Sequence, residues 1–544
     1  MNTPIVDFIN EYRNSGIARL HMPGHKGRTL LGFEDWDITE IKGADVLAEA
    51  QGIIGESEAN AASLFGTQRT VYSTEGSTQC VKAMLTMAVW HPGVDGLSLK
   101  EGQSAQAGRP LFVAGRNAHK AFIYGAAMLD ARVIWLYPEG KSSGSASVCE
   151  CRITPAGLEQ VLGSLGEIPA AVYVTSPDYL GNMLDIAGLA EVCHRYGTLL
   201  LVDNAHGAYL KFAAGDSPEK LHPMELGADI CCDSAHKTLP VLTGGAYLHV
   251  SRTAPEELAG MAACALEIYC STSPSYLILA SLDKCNEYLA GEFGSELKKT
   301  MAQLEKLRER LRGNGWEVPA TDPLKVRINA PAGMSGEELA GRLRHAGGEP
   351  EYADEDFLVL MFTPWNRDED FDCVLRAFGP RGGDAGQEDT EFGNAADKAA
   401  SNELYEASAD KMISKEPYEA SADSSRQKNS TGQGTVPSSV ADRLVAVVCE
   451  EGPEYAGHAA ETGTGSEAEA AAETGAESEA GPAAEAGTES EDKAGSRMQR
   501  LTIREAVLAR QELVMLSQAQ GRICAAPVVA CPPAVPIAVS REIL

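Results

Sequence analysis

The sequence predicts an α/β fold: a large domain on a mostly parallel sheet, then a small α+β domain, a long acidic insertion and a small C-terminal domain. Three observations predict it. Between about Thr70 and Val250, short apolar runs rich in β-branched residues alternate with segments of helical spacing. A second, shorter alternation follows up to about residue 380, and the composition then changes abruptly.

The first alternation contains TVYS (70–73), LFVAG (111–115), RVIWLY (132–137), AVYVTS (171–176), TLLLVD (198–203), DICCDS (229–234) and GAYLHV (245–250). Each run is too short and too continuously apolar for a surface helix, and each ends on punctuation or polar residues. Apolar strands joined by helices make a mostly parallel sheet covered on both faces. Functional loops then belong at the carboxyl ends of the strands. From Ser281 to Arg312 the spacing is helical, and LEKLRERLRGNGW ends on glycines as a helix C-terminus does. KVRIN, a helix over 335–345, the run FLVLMF (357–362) and a helix over 368–378 complete the second alternation. The expected segments are 1–55 (N-terminal), 56–280 (large domain), 281–380 (small α+β domain), 381–497 (disordered insertion) and 498–544 (C-terminal).

The insertion is rich in Ala, Glu, Gly, Ser and Thr, repeats YEASAD and AETG, and has almost no large apolar residues. Such a segment buries too little apolar area to offset its ordering entropy. Within it, VADRLVAVVCEE (440–451) is read as a transient helix. LTIREAVLARQELVML (501–516) has helical spacing, and CPPAVPIAV (531–539) is an extended tail fixed by proline.

The net charge is −31, of which −18 lies between Asp384 and Ser496, where 25 acidic residues face 7 basic ones. The remainder is mildly acidic, which argues against nucleic acid and anionic membranes as partners. The 13 cysteines lie mostly in apolar runs (Cys193, Cys231, Cys232, Cys264) without zinc-ligand spacing, so they read as reduced core residues, and no metal is expected. No signal peptide or membrane-spanning run is evident, and a cytoplasmic location is expected.

Two strand ends carry the chemistry. LLLVDNAHGAY places Asp203 at the end of one strand, and DICCDSAHKTLP places Lys237 just past another. Each alone reads as a solvated loop residue. Together in an α/β domain they suit pyridoxal 5′-phosphate (PLP), which needs an amine to form a Schiff base and a carboxylate beside its ring nitrogen. Its phosphate needs N–H groups and hydroxyls at a helix N-terminus. EGSTQCVKAM offers Gly76, where the backbone can approach closely, and the hydroxyls of Ser77 and Thr78, although most such turns are only helix caps. Ser234 and His236 flank the lysine and suit the same cradle.

At this point the chain resembles the fold-type-I ornithine/lysine/arginine decarboxylases, in the short form without a flavodoxin-like N-terminal domain. The resemblance rests on HMPGHKG (21–27), ESEANAASLFGT with EGST (56–78), RNAHKA (116–121), TSPDYLG (175–181), VDNAHGAY (202–209), SAHKT (234–238) and STSPSY (271–276). It covers nearly all of residues 1–380 and 498–544 and implies an aminotransferase-like large domain. It further implies that His119 stacks on the PLP ring, that Ala205 packs beneath it, and that His206 lies near the cofactor. Ser271 and Thr272 would reach the partner subunit's phosphate across a homodimer interface. Glu351, in GGEPEYAD, would receive the distal cation of the substrate, although its acidic neighbours also suit a solvated loop. The tail GRICAAPVVACPPAVPIAV departs from the family pattern, with Ala534 where glycine is usual.

The implied activity is decarboxylation of a basic amino acid (arginine, lysine or ornithine) to an amine of polyamine-type metabolism. Lys237, Asp203 and His119 are the expected catalytic residues. Another fold-type-I PLP reaction, by an aminotransferase or a carbon–carbon or carbon–sulfur lyase, is the alternative, since fold alone does not choose the bond broken. A non-catalytic binding protein with an acidic recruiting segment is a third reading, against which Lys237, Asp203 and Ser77 all stand.

Overall fold

The structure, a computed structural model, describes residues 1–91, 108–138, 149–215, 219–381, 445–449, 502–508, 511–515, 524, 526–529 and 536–538. Its centre is a seven-stranded sheet of β1 (Arg69–Ser73), β2 (Leu111–Gly115), β3 (Arg132–Leu136), β4 (Ala171–Thr175), β5 (Leu199–Asp203), β6 (Ile230–Asp233) and β7 (Ala246–Val250), in the order β1-β7-β6-β5-β4-β2-β3. Strands β3, β2, β4, β5 and β6 run parallel, and β7 is antiparallel to both β6 and β1. Because β7 reverses direction twice over, β1 points the same way as the parallel strands. Its carboxyl end therefore opens on the same edge as those of β4, β5 and β6. The sheet is the mostly parallel α/β sheet expected, and each expected run coincides with one of its strands, β1 beginning one residue earlier, at Arg69.

The apolar residues of both faces are covered, as continuous apolar strands require. Val71, Ala114, Tyr173, Leu201 and Cys232 pack under the helix Ser77–Trp90 and its neighbours. Val113, Val172, Val202 and Cys231 pack on the other side, against the helix Ile186–Arg195. A third cluster extends from Ile5 and Ile9 through the helices Tyr276–Ala290 and Phe293–Gly313 to Val326 and Leu360. It binds a second sheet to the first. That sheet consists of β8 (Lys325–Asn329), β9 (Tyr352–Ala353) and β10 (Phe357–Met361), in the antiparallel order β8-β10-β9. The N-terminal helix Pro4–Asn14 is tied to the third cluster by Asp283, whose Oδ2 accepts from the N–H groups of Ile5 and Val6, both at 3.0 Å. A helix start leaves such donors without partners in its own chain turn.

Several expectations need correction. The helical spacing of 281–312 spans two helices, parted after Ala290 by Gly291. The transient helix read over 440–451 is instead a strand at Val445–Cys449, β11. Helical spacing over 501–516 holds only for Ile503–Leu508, after which Gln511–Met515 forms β12 and pairs antiparallel with β11. VAVVC is β-branched and lacks a polar face, so pairing outweighs helix propensity there. In the tail, Val528–Val529 (β13) pairs with Pro536–Ala538 (β14). Cys264 is exposed on the helix Glu256–Glu267 rather than buried in a core, whereas Cys193, Cys231 and Cys232 are buried. Apart from Arg381, whose N–H donates to Asn314 O at 2.8 Å, and β11, the disorder expected of 381–497 falls on residues outside those described.

Candidate active site

The shared carboxyl edge of β1, β4, β5 and β6 opens into a cleft of about 300 Å³ lined by Gly76, Ser77, Thr78, His119, Asp203, Ala205, His206, Ser234, His236 and Lys237. These ten residues come from four separate stretches of sequence. At the end of β1 the chain turns through Gly76, whose φ of 73° lies in the left-handed region that favours glycine. The Gly76 N–H donates to Gly244 O at 2.7 Å, which pins the turn to the start of β7. The helix Ser77–Trp90 begins there, so its first turn, with Ser77 and Thr78, lies at the cleft wall. Ser234 Oγ donates to Ser77 Oγ at 2.7 Å, placing two hydroxyls together at that helix start.

Asp203 closes β5 and is 3% exposed. Its Oδ2 accepts from the Tyr173 hydroxyl at 2.7 Å, and its Oδ1 accepts from the Ala205 N–H at 3.2 Å. Lys237 sits in the single helical turn Ala235–Thr238 after β6. Its Nζ lies 3.0 Å from His206 Nε2. Burial pushes the affinity of both groups for a proton down, and Asp203 partly offsets this for the lysine. His119 caps the helix Lys120–Met128, with Nδ1 accepting from the Ala121 N–H at 3.1 Å. Burial lowers its pKa to about 4, so the ring is uncharged near neutrality. His236 holds its ring against Gly245 O through Nδ1 at 3.1 Å.

Behind the two strand ends lies a buried polar knot. Asn204 Nδ2 donates to Asp233 Oδ1 at 2.6 Å, and His222 Nε2 and His249 Nε2 meet Asp233 Oδ2 at 3.0 and 3.2 Å. It joins the residue after Asp203 to the residue before Ser234. His222, Cys231 and Asp233 also lie close enough together to hold a metal ion. However, His222 Nδ1 already accepts from the Met224 N–H, and its Nε2 is engaged by Asp233, so hydrogen bonds account for the group.

Glu351 stands apart from the cleft wall. It is exposed and precedes β9, and its Oε1 accepts from the hydroxyl of Tyr179, which does line the cleft. The Tyr179 ring meets His206 edge-on, with centroids 5.1 Å apart. Ser271 and Thr272 are also exposed and outside the cleft lining. The Ser271 N–H donates to Glu75 Oε1 at 2.6 Å, which places the segment at the rim beside Glu75. Sequence reading gave no role to Tyr173, Tyr179, Asn204 or Asp233. Tyr179 and Asn204 lay inside quoted motifs, whereas Tyr173 looked like any strand residue.

The donor set fits PLP. One cleft holds an amine, a carboxylate with both oxygens anchored, an uncharged imidazole, and paired hydroxyls at a helix start.

Residues 3–331 match the family described as Orn/Lys/Arg decarboxylase, major domain. The chain is 29% identical over 380 residues to the uncharacterized protein YaaO of Bacillus subtilis, covering 66% of this chain and 74% of YaaO. It is 28% identical over 411 residues to the arginine decarboxylase of Bacillus subtilis, covering 69% and 76%. Among solved structures it is similar to the Francisella novicida lysine decarboxylase LdcF, with a TM-score of 0.57 at 18% identity. The constitutive lysine decarboxylase of E. coli gives 0.54 at 18%. Each of these two alignments covers 69% of this chain, which spans 59% and 60% of those structures, and at this identity they speak to the fold alone.

Proposed function

The chain belongs to the Orn/Lys/Arg decarboxylase family, which makes it a PLP-dependent amino-acid decarboxylase, and on that premise we propose that it acts on a basic amino acid, arginine first. The observation that carries the reading is the meeting of Lys237, Asp203, Ser77 and Ser234 in one cleft. Arginine takes precedence because the similar Bacillus subtilis enzyme, of which the chain covers 76%, is an arginine decarboxylase.

When bound, PLP supplies an electron-poor ring that accepts the electron pair left as the Cα–carboxylate bond breaks. Lys237 is the residue that holds it covalently, and burial keeps its amine closer to the neutral, nucleophilic form. Asp203 would hold the proton of the ring nitrogen, an electrostatic contribution that would grow as negative charge develops. Ser77, Thr78 and Ser234 would hold the phosphate at the helix start, with Gly76 allowing the approach and His236 lining the same cleft. His119 and Ala205, which line the same cleft, would confine the ring, and His206, 3.0 Å from Lys237 Nζ, would receive or return a proton there. Glu351 takes the distal cation of the substrate, with Tyr179 orienting its carboxylate.

The exposed Ser271 and Thr272 suit a homodimer in which each subunit completes its neighbour's phosphate site. Mixing a Lys237→Ala subunit with one altered at 271–273 should then restore part of the activity. No recovery in verified heterodimers would place the segment's action within its own chain. The amine product serves polyamine-type metabolism in the cytoplasm, and the domain divisions at 55, 280, 380 and 497 complete the proposal. No helix among the described residues is long and apolar enough to cross a membrane.

The test is to incubate the purified protein with PLP and arginine, lysine or ornithine in turn, measuring CO₂ and amine. Amine formation without a keto-acid acceptor is expected. A strict requirement for such an acceptor would instead make the protein an aminotransferase.

A further inference from the structure

Tyr173 lies in the middle of β4 and is fully buried, and no motif singles it out. Its position follows from register. In the parallel pairing of β4 with β5, Tyr173 lies opposite Leu201, and both side chains pack on the sheet face under the helix Ser77–Trp90. Asp203 is two residues beyond Leu201, on the same face. The phenol ring is wedged against Phe122, with centroids 4.6 Å apart, and is long enough to carry its hydroxyl to Asp203 Oδ2 at 2.7 Å.

The surroundings of Asp203 make this contact consequential. Its other oxygen accepts from the Ala205 N–H and, at 3.8 Å, from the Cys232 thiol. All three donors are neutral. Burial pushes the titrations of Tyr173 and Cys232 far up, so both keep their protons. Hydroxyl-to-carboxylate hydrogen bonds are the strong kind, and the tyrosine supplies the strongest of the three. In a low-dielectric site a carboxylate beside a pyridinium competes with a neutral acid beside a neutral pyridine. Hydrogen bonds to the carboxylate favour the charged pair.

We propose that Tyr173 is a positioning residue for decarboxylation: its hydroxyl fixes Asp203 Oδ2 and biases the proton shared by Asp203 and the cofactor's ring nitrogen toward the nitrogen. The inference rests on the proposed role of Asp203. It adds the requirement that the carboxylate be held ionised from behind, by a neighbouring strand.

The experiment loads wild type and Tyr173→Phe with PLP labelled with ¹⁵N in the ring and follows the nitrogen chemical shift from about pH 6 to 9. The phenylalanine keeps the contact with Phe122 and removes only the hydroxyl. A nitrogen protonated throughout is expected in the wild type, and a nitrogen that loses its proton within the range in the variant. Turnover should fall about tenfold to a hundredfold, the worth of a hydrogen bond to a charged group. KM should stay within a few-fold. A cofactor analogue with carbon in place of the ring nitrogen has no proton to place, so with it the two proteins should turn over at equal, low rates.

An unchanged nitrogen shift in the variant overturns the inference, as does an equal fold-loss with the analogue, which would show a packing role. If Tyr173→Phe does not fold, p-aminophenylalanine at position 173 keeps the shape with a weaker donor. An intermediate nitrogen titration is expected there, and a wild-type one overturns the inference. A wild type that takes up no PLP overturns the reading of the site, and this inference with it.

Discussion

Glu351→Gln is the substitution that tests substrate class. A guanidinium or ammonium at the far end of the substrate loses water on entering the cleft, and an unpaired buried cation is costly, so a carboxylate must meet it. The structure offers Glu351, whose Oε1 accepts from the Tyr179 hydroxyl at the cleft. A hydrogen bond to a charged group contributes about 1.5–3 kcal/mol. Because Glu351 is exposed, solvent screening places its share at the lower end, about 1.5 kcal/mol, or roughly tenfold in kcat/KM. The contact forms in ground state and transition state alike, so the loss should fall on KM and leave kcat unchanged. Tyr179→Phe should cost less, and the double substitution less than the sum, because both act on one carboxylate. Steady-state kinetics of CO₂ release with arginine, lysine and ornithine read all of this. A kcat/KM within twofold of wild type for the best substrate would remove Glu351 from the site, and a wild-type preference for neutral amino acids would remove the basic-substrate assignment itself.

Further predictions concern the anchor, the interior and the insertion. Lys237→Ala should leave a folded protein that holds PLP weakly, lacks the visible absorbance of the lysine-bound cofactor and has no measurable turnover; normal turnover would defeat the assignment. Asp322→Ala should destabilise by about 3–5 kcal/mol in urea titrations, since it strands the ammonium of Lys325, which is 1% exposed and 2.8 Å from Asp322 Oδ2. A loss below 1 kcal/mol would show that the lysine finds another partner. Burial raises the pKa of Glu58 to about 8 in the folded state, from 4.5. The unfolded chain releases this proton first, so folding stability is lost as pH rises from about 4.5 to 8. Glu58→Gln keeps an acceptor for the Tyr72 N–H and should gain on the wild type across that window, on the order of 3–5 kcal/mol at its upper end. A pH-independent difference would refute the shift. Removing residues 384–496 forfeits the pairing of β11 with Gln511–Met515, so a deletion that retains Val445–Cys449 should keep the C-terminal strands better protected from proteolysis. Equal protection in both would show that the pairing contributes nothing.

By itself the sequence determined the seven strands, the alternation that makes the main sheet mostly parallel, and the strand ends that carry Asp203 and Lys237. These are local properties: continuous β-branched runs leave little choice but a buried strand, and a polar residue at its end marks an edge. Motif resemblance added His119, Ala205 and His206 to the same cleft, and the structure does bring them together there. Only the tertiary structure decided which strands are neighbours. Once β4 lies beside β5, Tyr173 touches Asp203, although 30 residues separate them. The knot around Asp233 likewise exists because β5, β6 and β7 are adjacent, drawing on Asn204, His222 and His249. VAVVC misled for the same reason, since its strand form depends on a partner more than 60 residues away in the chain. Strand pairing is a long-range choice made by burial and backbone hydrogen bonding, and local spacing carries no record of it.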